Sequence, residues 1–79
     1  MADEIAYVLI QVAQGSSVSP VLTARLIYEA GEPFALLLPG TAFSHLGKLR
    51  LYPQHLKQER APSPGRPALY RHETILVAP

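Results

Sequence analysis

The chain has 79 residues, of which 48% are hydrophobic and 16% charged, and its formal net charge is +1. This length predicts one small domain, residues 1–79, and the hydrophobic content excludes a disordered tail. The sequence contains no cysteine, which excludes disulfide bonds and thiolate metal sites. The hydrophobic share is large for so small a surface, which indicates that a partner or a second copy covers part of it.

The first fourteen residues argue against export and membrane insertion. Acidic residues stand at Asp3 and Glu4, where a secretory signal needs basic ones, and the apolar run 5–13 is too short to span a bilayer. We therefore predict a soluble, cytoplasmic protein. The run 4–14 (EIAYVLIQVAQ) is rich in β-branched residues and stops at Gly15, which favours a central strand over a helix.

Residues 21–38 predict a β-hairpin. Apolar and polar residues alternate over 22–29, the arm 34–38 is apolar on both faces, and Gly31-Glu32-Pro33 separates the two. A two-residue turn at 31–32 places charged Arg25 opposite Leu38. An odd-length loop over 31–33 instead aligns Leu26 with Leu38, and we predict that register.

The second half predicts shorter elements. Thr41 and Gly47 are the expected N-cap and stop of one helical or 3-10 turn. Because Pro53 has no N–H to donate, the strand 48–52 either ends there or lies on a sheet edge. Residues 54–60 fit either a helix or a polar edge strand. Residues 61–67 (APSPGRP) predict a loop, and residues 69–77 predict a last strand. The whole pattern predicts an all-β fold, either a small five-stranded barrel of SH3-like or OB-like size or a strongly bent antiparallel sheet.

No motif for catalysis, metal or cofactor binding emerges. Residues 40–48 (GTAFSHLGK) hold six residues between their glycines, where a phosphate-binding loop needs four. His45, His55 and His72 have no compact ligand spacing, and Ser44 beside His45 points away from it. We expect neither enzymatic activity nor a small-molecule cofactor. If His55 and His72 meet across a hairpin, a pH-sensitive interface remains open.

The function that these features favour is a non-enzymatic protein–protein interaction or assembly module. We predict a small regulatory or accessory subunit that acts as a homo-oligomer or binds a protein partner. In the predicted register, the outer side of the hairpin carries the residues expected at the interface: Ile27, Leu37, Arg25 and Glu29.

Binding of single-stranded nucleic acid is the alternative function. Residues 1–39 hold one basic residue and four acidic ones, whereas residues 40–79 hold six basic and two acidic ones. If strands 48–52 and 69–77 are neighbours, aromatic and basic side chains share a face that stacks bases and contacts phosphates. The pI of about 8.2 is low for such a protein. The residues concerned are Lys48, Arg50, Tyr52, Tyr70, Arg71 and His72.

Overall fold

The computed structural model of the protein describes residues 5–78, which form strands and two short 3-10 turns and confirm the all-β class. The 3-10 turns span Ser44–Leu46 and Pro53–His55. The strands are β1 (Ala6–Ile10), β2 (Val12–Gln14), β3 (Ser17–Val18), β4 (Leu22–Glu29), β5 (Glu32–Leu37), β6 (Lys48–Arg50), β7 (Leu56–Arg60), β8 (Ala68–His72) and β9 (Ile75–Val77).

The strands form two sheets, and two segments of the chain run from one sheet into the other. The larger sheet has the order β6-β5-β4-β1-β8-β7, and the smaller one the order β3-β2-β9. β1 pairs with β8 in parallel, and β2, which follows β1, pairs in parallel with β9, which follows β8. At the crossing, the backbone N–H of Ile75 donates to the carbonyl of Gln11 at 2.8 Å. The sheets are therefore neither purely antiparallel nor closed into a five-stranded barrel.

The hydrophobic core lies on the inner face of the larger sheet. Alternation along β1 and β4 directs every second side chain inward, as the period of two predicts, and β2, β9 and the segment around Leu51 cover that face. The core residues are Val8, Ile10, Val12, Leu22, Ala24, Leu26, Ala35, Leu37, Leu51 and Ile75.

The β4–β5 hairpin has a register that differs from the predicted one. Glu29 pairs with Glu32, so the turn is the two residues Ala30 and Gly31, and the prediction of an odd-length loop was wrong. Both turn residues have positive φ, 51° and 79°, as in the mirror-image turns that match strand twist. Pro33 lies inside β5, where its carbonyl accepts from Leu51 at the end of β6.

Replacing Ala30 with asparagine should stabilise the domain by about 0.5–1 kcal/mol. A β-carbon is strained in the left-handed region that Ala30 occupies (φ 51°), whereas asparagine tolerates that region and is favoured in this turn. Urea unfolding of the two proteins measures the difference. Ala61→Asn, at an exposed loop position, is the control and should change the midpoint little; an Ala30→Asn midpoint no higher than the wild type contradicts the expectation.

The second half agrees with several predictions and corrects others. The ambiguous residues 54–60 contain the end of a 3-10 turn and then the edge strand β7, and 61–67 is a loop as predicted. Gly47 ends the first 3-10 turn, but Phe43, with φ 60°, precedes that turn in place of Thr41. The predicted strand 69–77 is interrupted between β8 and β9. Across residues 5–78, neither helical turn has the length and hydrophobicity needed to cross a membrane.

Candidate interaction surface

The outer face of the larger sheet carries an apolar stripe across four neighbouring strands. These side chains alternate with the core residues and remain partly exposed. Phe34 lies opposite Ile27 in the β4–β5 pair, and Tyr7 lies opposite Leu69 in the β1–β8 pair. We call this set the outer stripe: Tyr7, Leu9, Ile27, Phe34, Leu36 and Leu69.

The smaller sheet exposes a second apolar row. Ala13 of β2 pairs with Val18 on one side and with Leu76 on the other, so the three side chains share the outward face. Val18 is 62% exposed and Leu76 is 82% exposed. Large hydrophobic side chains with this much exposure make the smaller sheet a second apolar surface beside the outer stripe of the larger sheet.

Ion pairs of both signs surround the outer stripe. Lys48 Nζ lies 2.5 Å from Glu29 Oε1 and 5.0 Å from the ring centre of Phe34. Arg50 pairs with Glu32 in the same way. These pairs are exposed, so they add little stability, but they hold positive and negative groups together at the rim. At the other side of the sheet, Arg71 pairs with Glu59.

No family model, curated protein or solved structure matches the chain.

Three of the four predicted interface residues lie on the outer face. Arg25 and Glu29 are exposed and Ile27 is part of the outer stripe. Leu37 is a correction, because it pairs with Ala24 in the core and is only 6% exposed. The prediction placed it outside because the register was wrong. The remaining stripe residues were missed, since β1 and β5 are apolar on both faces and their alternation carries no polar signal.

The six residues predicted for nucleic acid do not form one surface. β5, β4 and β1 separate β6 from β8, so the two strands expected to be neighbours are not paired. Lys48, Arg50 and Arg71 lie on the outer face, where each is bonded to a carboxylate. Tyr70 pairs with the buried Val8 and shares its inward orientation. Tyr52 and His72 do meet, because the Tyr52 N–H donates to His72 Nε2, and Arg50 lines a groove with both. Over residues 5–78, however, the six predicted side chains do not share one continuous basic and aromatic face.

A groove of about 510 Å³ lies where the curved sheets fail to close, between β6 and β9. We call it the seam groove. Its apolar wall includes Leu49 from β6 and Ile75 and Val77 from β9, and His55 and Glu73 lie at one end. Such open clefts between strand edges suit extended chains better than small, enclosed ligands.

His72 closes one end of the seam groove. Its Nε2 accepts the backbone N–H of Tyr52 at 2.9 Å, and its Nδ1 donates to the carbonyl of Glu73 at 2.7 Å. Because a carbonyl only accepts, the proton lies on Nδ1, and the ring is the neutral tautomer. His72 is 6% exposed, and its bond with Tyr52 holds the end of β8 against the residues that follow β6. The bond to Glu73, the next residue, fixes the orientation of the ring.

The predicted proximity of His55 and His72 is confirmed, with ring centres 5.9 Å apart. Glu73 Oε2 lies 2.6 Å from His55 Nδ1. Both ring nitrogens of His72 are occupied by backbone groups, so it has no lone pair left for a metal ion. His45 lies on the first 3-10 turn beside Phe43. Among residues 5–78, no three histidines or carboxylates are placed to hold a metal ion.

Proposed function

We propose that the protein is a non-enzymatic assembly module that acts as a homo-oligomer through its outer stripe. The observation that supports this is the run of six partly exposed apolar side chains across β5, β4, β1 and β8. Burying such a face removes apolar surface from water, which drives association. A regulatory or accessory role, in which assembly positions a second protein, follows from the same surface.

The charges around the outer stripe favour a second copy as its occupant. In a two-fold dimer the same patch meets itself, so the patch has to be compatible with its own charge pattern. The rim meets this condition because Lys48 and Arg50 are interspersed with Glu29 and Glu32. Each cation of one subunit can therefore face a carboxylate of the other, whereas a face of one sign would repel its copy.

The available area also suits a dimer. Stable interfaces bury about 800 Å² on each partner, and the chain exposes 5221 Å². A dimer would therefore cover about one-seventh of the surface. Arg25, which pairs with Leu36 and Tyr7, is centrally placed to supply a hydrogen-bonding group inside the apolar patch.

The replacement Ile27→Lys should convert an oligomer into a monomer. A lysine in the middle of the outer stripe places an unpaired charge at the centre of the interface, and we expect dimerisation to weaken by at least about 30-fold. Sedimentation equilibrium from micromolar to millimolar concentration measures the mass relative to the 8.6 kDa chain.

Tyr28→Lys is the matched control for this experiment. Tyr28 is the next residue along β4 and is 62% exposed, but its side chain alternates away from the outer stripe. This variant should associate like the wild type. A wild-type protein that is monomeric at millimolar concentration, or a Tyr28→Lys variant that dissociates as readily as Ile27→Lys, argues against self-association through this face.

A further inference from the structure

The edge of β6 that borders the seam groove presents its own backbone hydrogen-bonding groups. Leu37 N–H donates to Gly47 C=O, and Leu51 N–H donates to Pro33 C=O. In an antiparallel pair these orientations alternate, so Leu49 also faces β5. The N–H and C=O groups of Lys48 and Arg50 therefore point the other way, toward the seam groove.

β9 also directs backbone hydrogen-bonding groups toward the seam groove, from the side opposite β6. Ile75 N–H donates to Gln11 C=O, and in a parallel pair every second residue bonds to the neighbouring strand. Ile75 and Val77 thus face β2. The N–H and C=O groups of Leu76 point away from β2 and into the opening. The seam groove consequently lies between two strand edges.

One backbone N–H that continues the outward edge of β6 already bonds to an acceptor, the ring of His72. Tyr52 is the next outward-facing position after Lys48 and Arg50, and its N–H donates to His72 Nε2 at 2.9 Å. Within residues 5–78, no backbone hydrogen bond found outside the strand ladders involves Lys48, Arg50 or Leu76. A strand edge with outward N–H and C=O groups is the template on which a further strand pairs.

We propose that the seam groove binds an extended segment of a partner protein as an added strand between β6 and β9. Backbone groups of the segment would bond to Arg50 on one side and Leu76 on the other. Side chains directed inward would contact Leu49, Ile75 and Val77, which line the groove, so they should be apolar. The seam groove lies beside the outer stripe and shares Lys48 and Arg50 with its rim, so the test has to separate binding in the groove from self-association.

The charge of the β6 edge specifies the outward positions of the bound segment. Lys48 and Arg50 project from β6 on the outer face, with 40% and 58% of their side chains exposed, and they bond to Glu29 of β4 and Glu32 of β5. An added strand lies on the other side of β6 from these two glutamates, so its carboxylates would approach each cation from the opposite side. Residues directly across from them on an added strand are neighbours on the same face, and opposite charges stabilise such pairs. The partner segment should therefore alternate apolar residues with acidic ones.

A synthetic heptapeptide of alternating glutamate and valine tests this proposal. We would add it to the ¹⁵N-labelled protein and follow amide hydrogen exchange. The amides of Lys48, Arg50 and Leu76 should gain at least tenfold protection, and those of β7, an edge strand at the far side of the larger sheet, should not. A peptide with lysine in place of glutamate should bind at least tenfold more weakly by fluorescence anisotropy.

Two variants of Leu76 distinguish the contribution of its backbone N–H to peptide binding from that of its side chain. Leu76→Pro removes an N–H that does not bond to β2, so the fold should persist while affinity for the peptide falls about tenfold. Leu76→Ala keeps the N–H and should bind within about twofold of the wild type. If Leu76→Pro fails to fold, amide exchange in the wild-type protein still tests whether the peptide pairs with β6 and β9.

Running the titration in the Ile27→Lys background separates this proposal from self-association through the outer stripe. Absence of protection at the three amides, equal protection at β7, or equal binding of the lysine peptide would overturn the proposal. Protection that rises with protein concentration alone, without peptide, would identify a second copy as the occupant and overturn it as well.

Discussion

Replacing Leu37 with lysine should unfold the domain, whereas the same replacement at Ile27 should leave it folded. Leu37 is 6% exposed and packs in the core opposite Ala24. An ammonium group there has no carboxylate partner, and an unpaired buried charge costs several kcal/mol. The whole domain is expected to be stable by about 4–12 kcal/mol, so this single change removes most of that margin.

Circular dichroism during urea titration measures this difference directly. Ile27→Lys should lose about 1 kcal/mol or less, because Ile27 lies on the outer face and lysine reaches water there. Leu37→Met, which keeps the volume and polarity, should cost less than about 1.5 kcal/mol. A Leu37→Lys protein that unfolds cooperatively near the wild-type midpoint would instead place Leu37 outside, in the register that the sequence alone predicts.

The replacement His72→Phe should lower the free energy of unfolding by about 1–3 kcal/mol. The ring keeps its approximate size, so packing changes little, but the N–H of Tyr52 and the carbonyl of Glu73 lose their partners. Both bonds are part-buried, and a typical hydrogen bond contributes about 0.5–1.5 kcal/mol to stability, so losing the two accounts for the expected range. The amide of Tyr52 should also exchange much faster with solvent.

His45→Phe is the control for this loss. His45 is exposed on the first 3-10 turn, and its replacement should change stability by less than about 0.5 kcal/mol. If His72→Phe and His45→Phe have the same midpoint in urea, or if Tyr52 keeps its exchange rate in His72→Phe, then the imidazole does not hold the two strands together.

The alternation of residues predicted the buried side of β4 correctly, but not that of β5. Leu22, Ala24 and Leu26 are buried, as a strand with period two requires. The predicted register was wrong because a proline such as Pro33 is typical of a turn, which placed the turn too late in the sequence. In the structure, its ring nitrogen faces the end of β6, where a missing donor is tolerated. The turn therefore comes earlier, at Ala30, whose positive φ no propensity indicates.

The sequence predicted part of the candidate surface, and of the seam groove only the closeness of His55 and His72. Ile27 stands out because it interrupts polar residues, whereas Phe34 and Leu36 lie in a run that is apolar on both faces. The seam groove depends on contacts between residues far apart in the chain, such as Tyr52 with His72. Periodicity describes only local geometry, so it cannot bring those segments together.

The parallel pairing of β1 with β8 has a consequence for how the domain is made. Ala6 pairs with Ala68 in this ladder, so β1 waits for a strand that is synthesised 62 residues later. Contacts of such long sequence separation slow folding. Until β8 leaves the ribosome, β1 lacks one of its two neighbouring strands and keeps an unpaired apolar edge. We therefore expect nascent chains truncated before Ala68 to aggregate, with folding of this domain completed only after β8 has been translated.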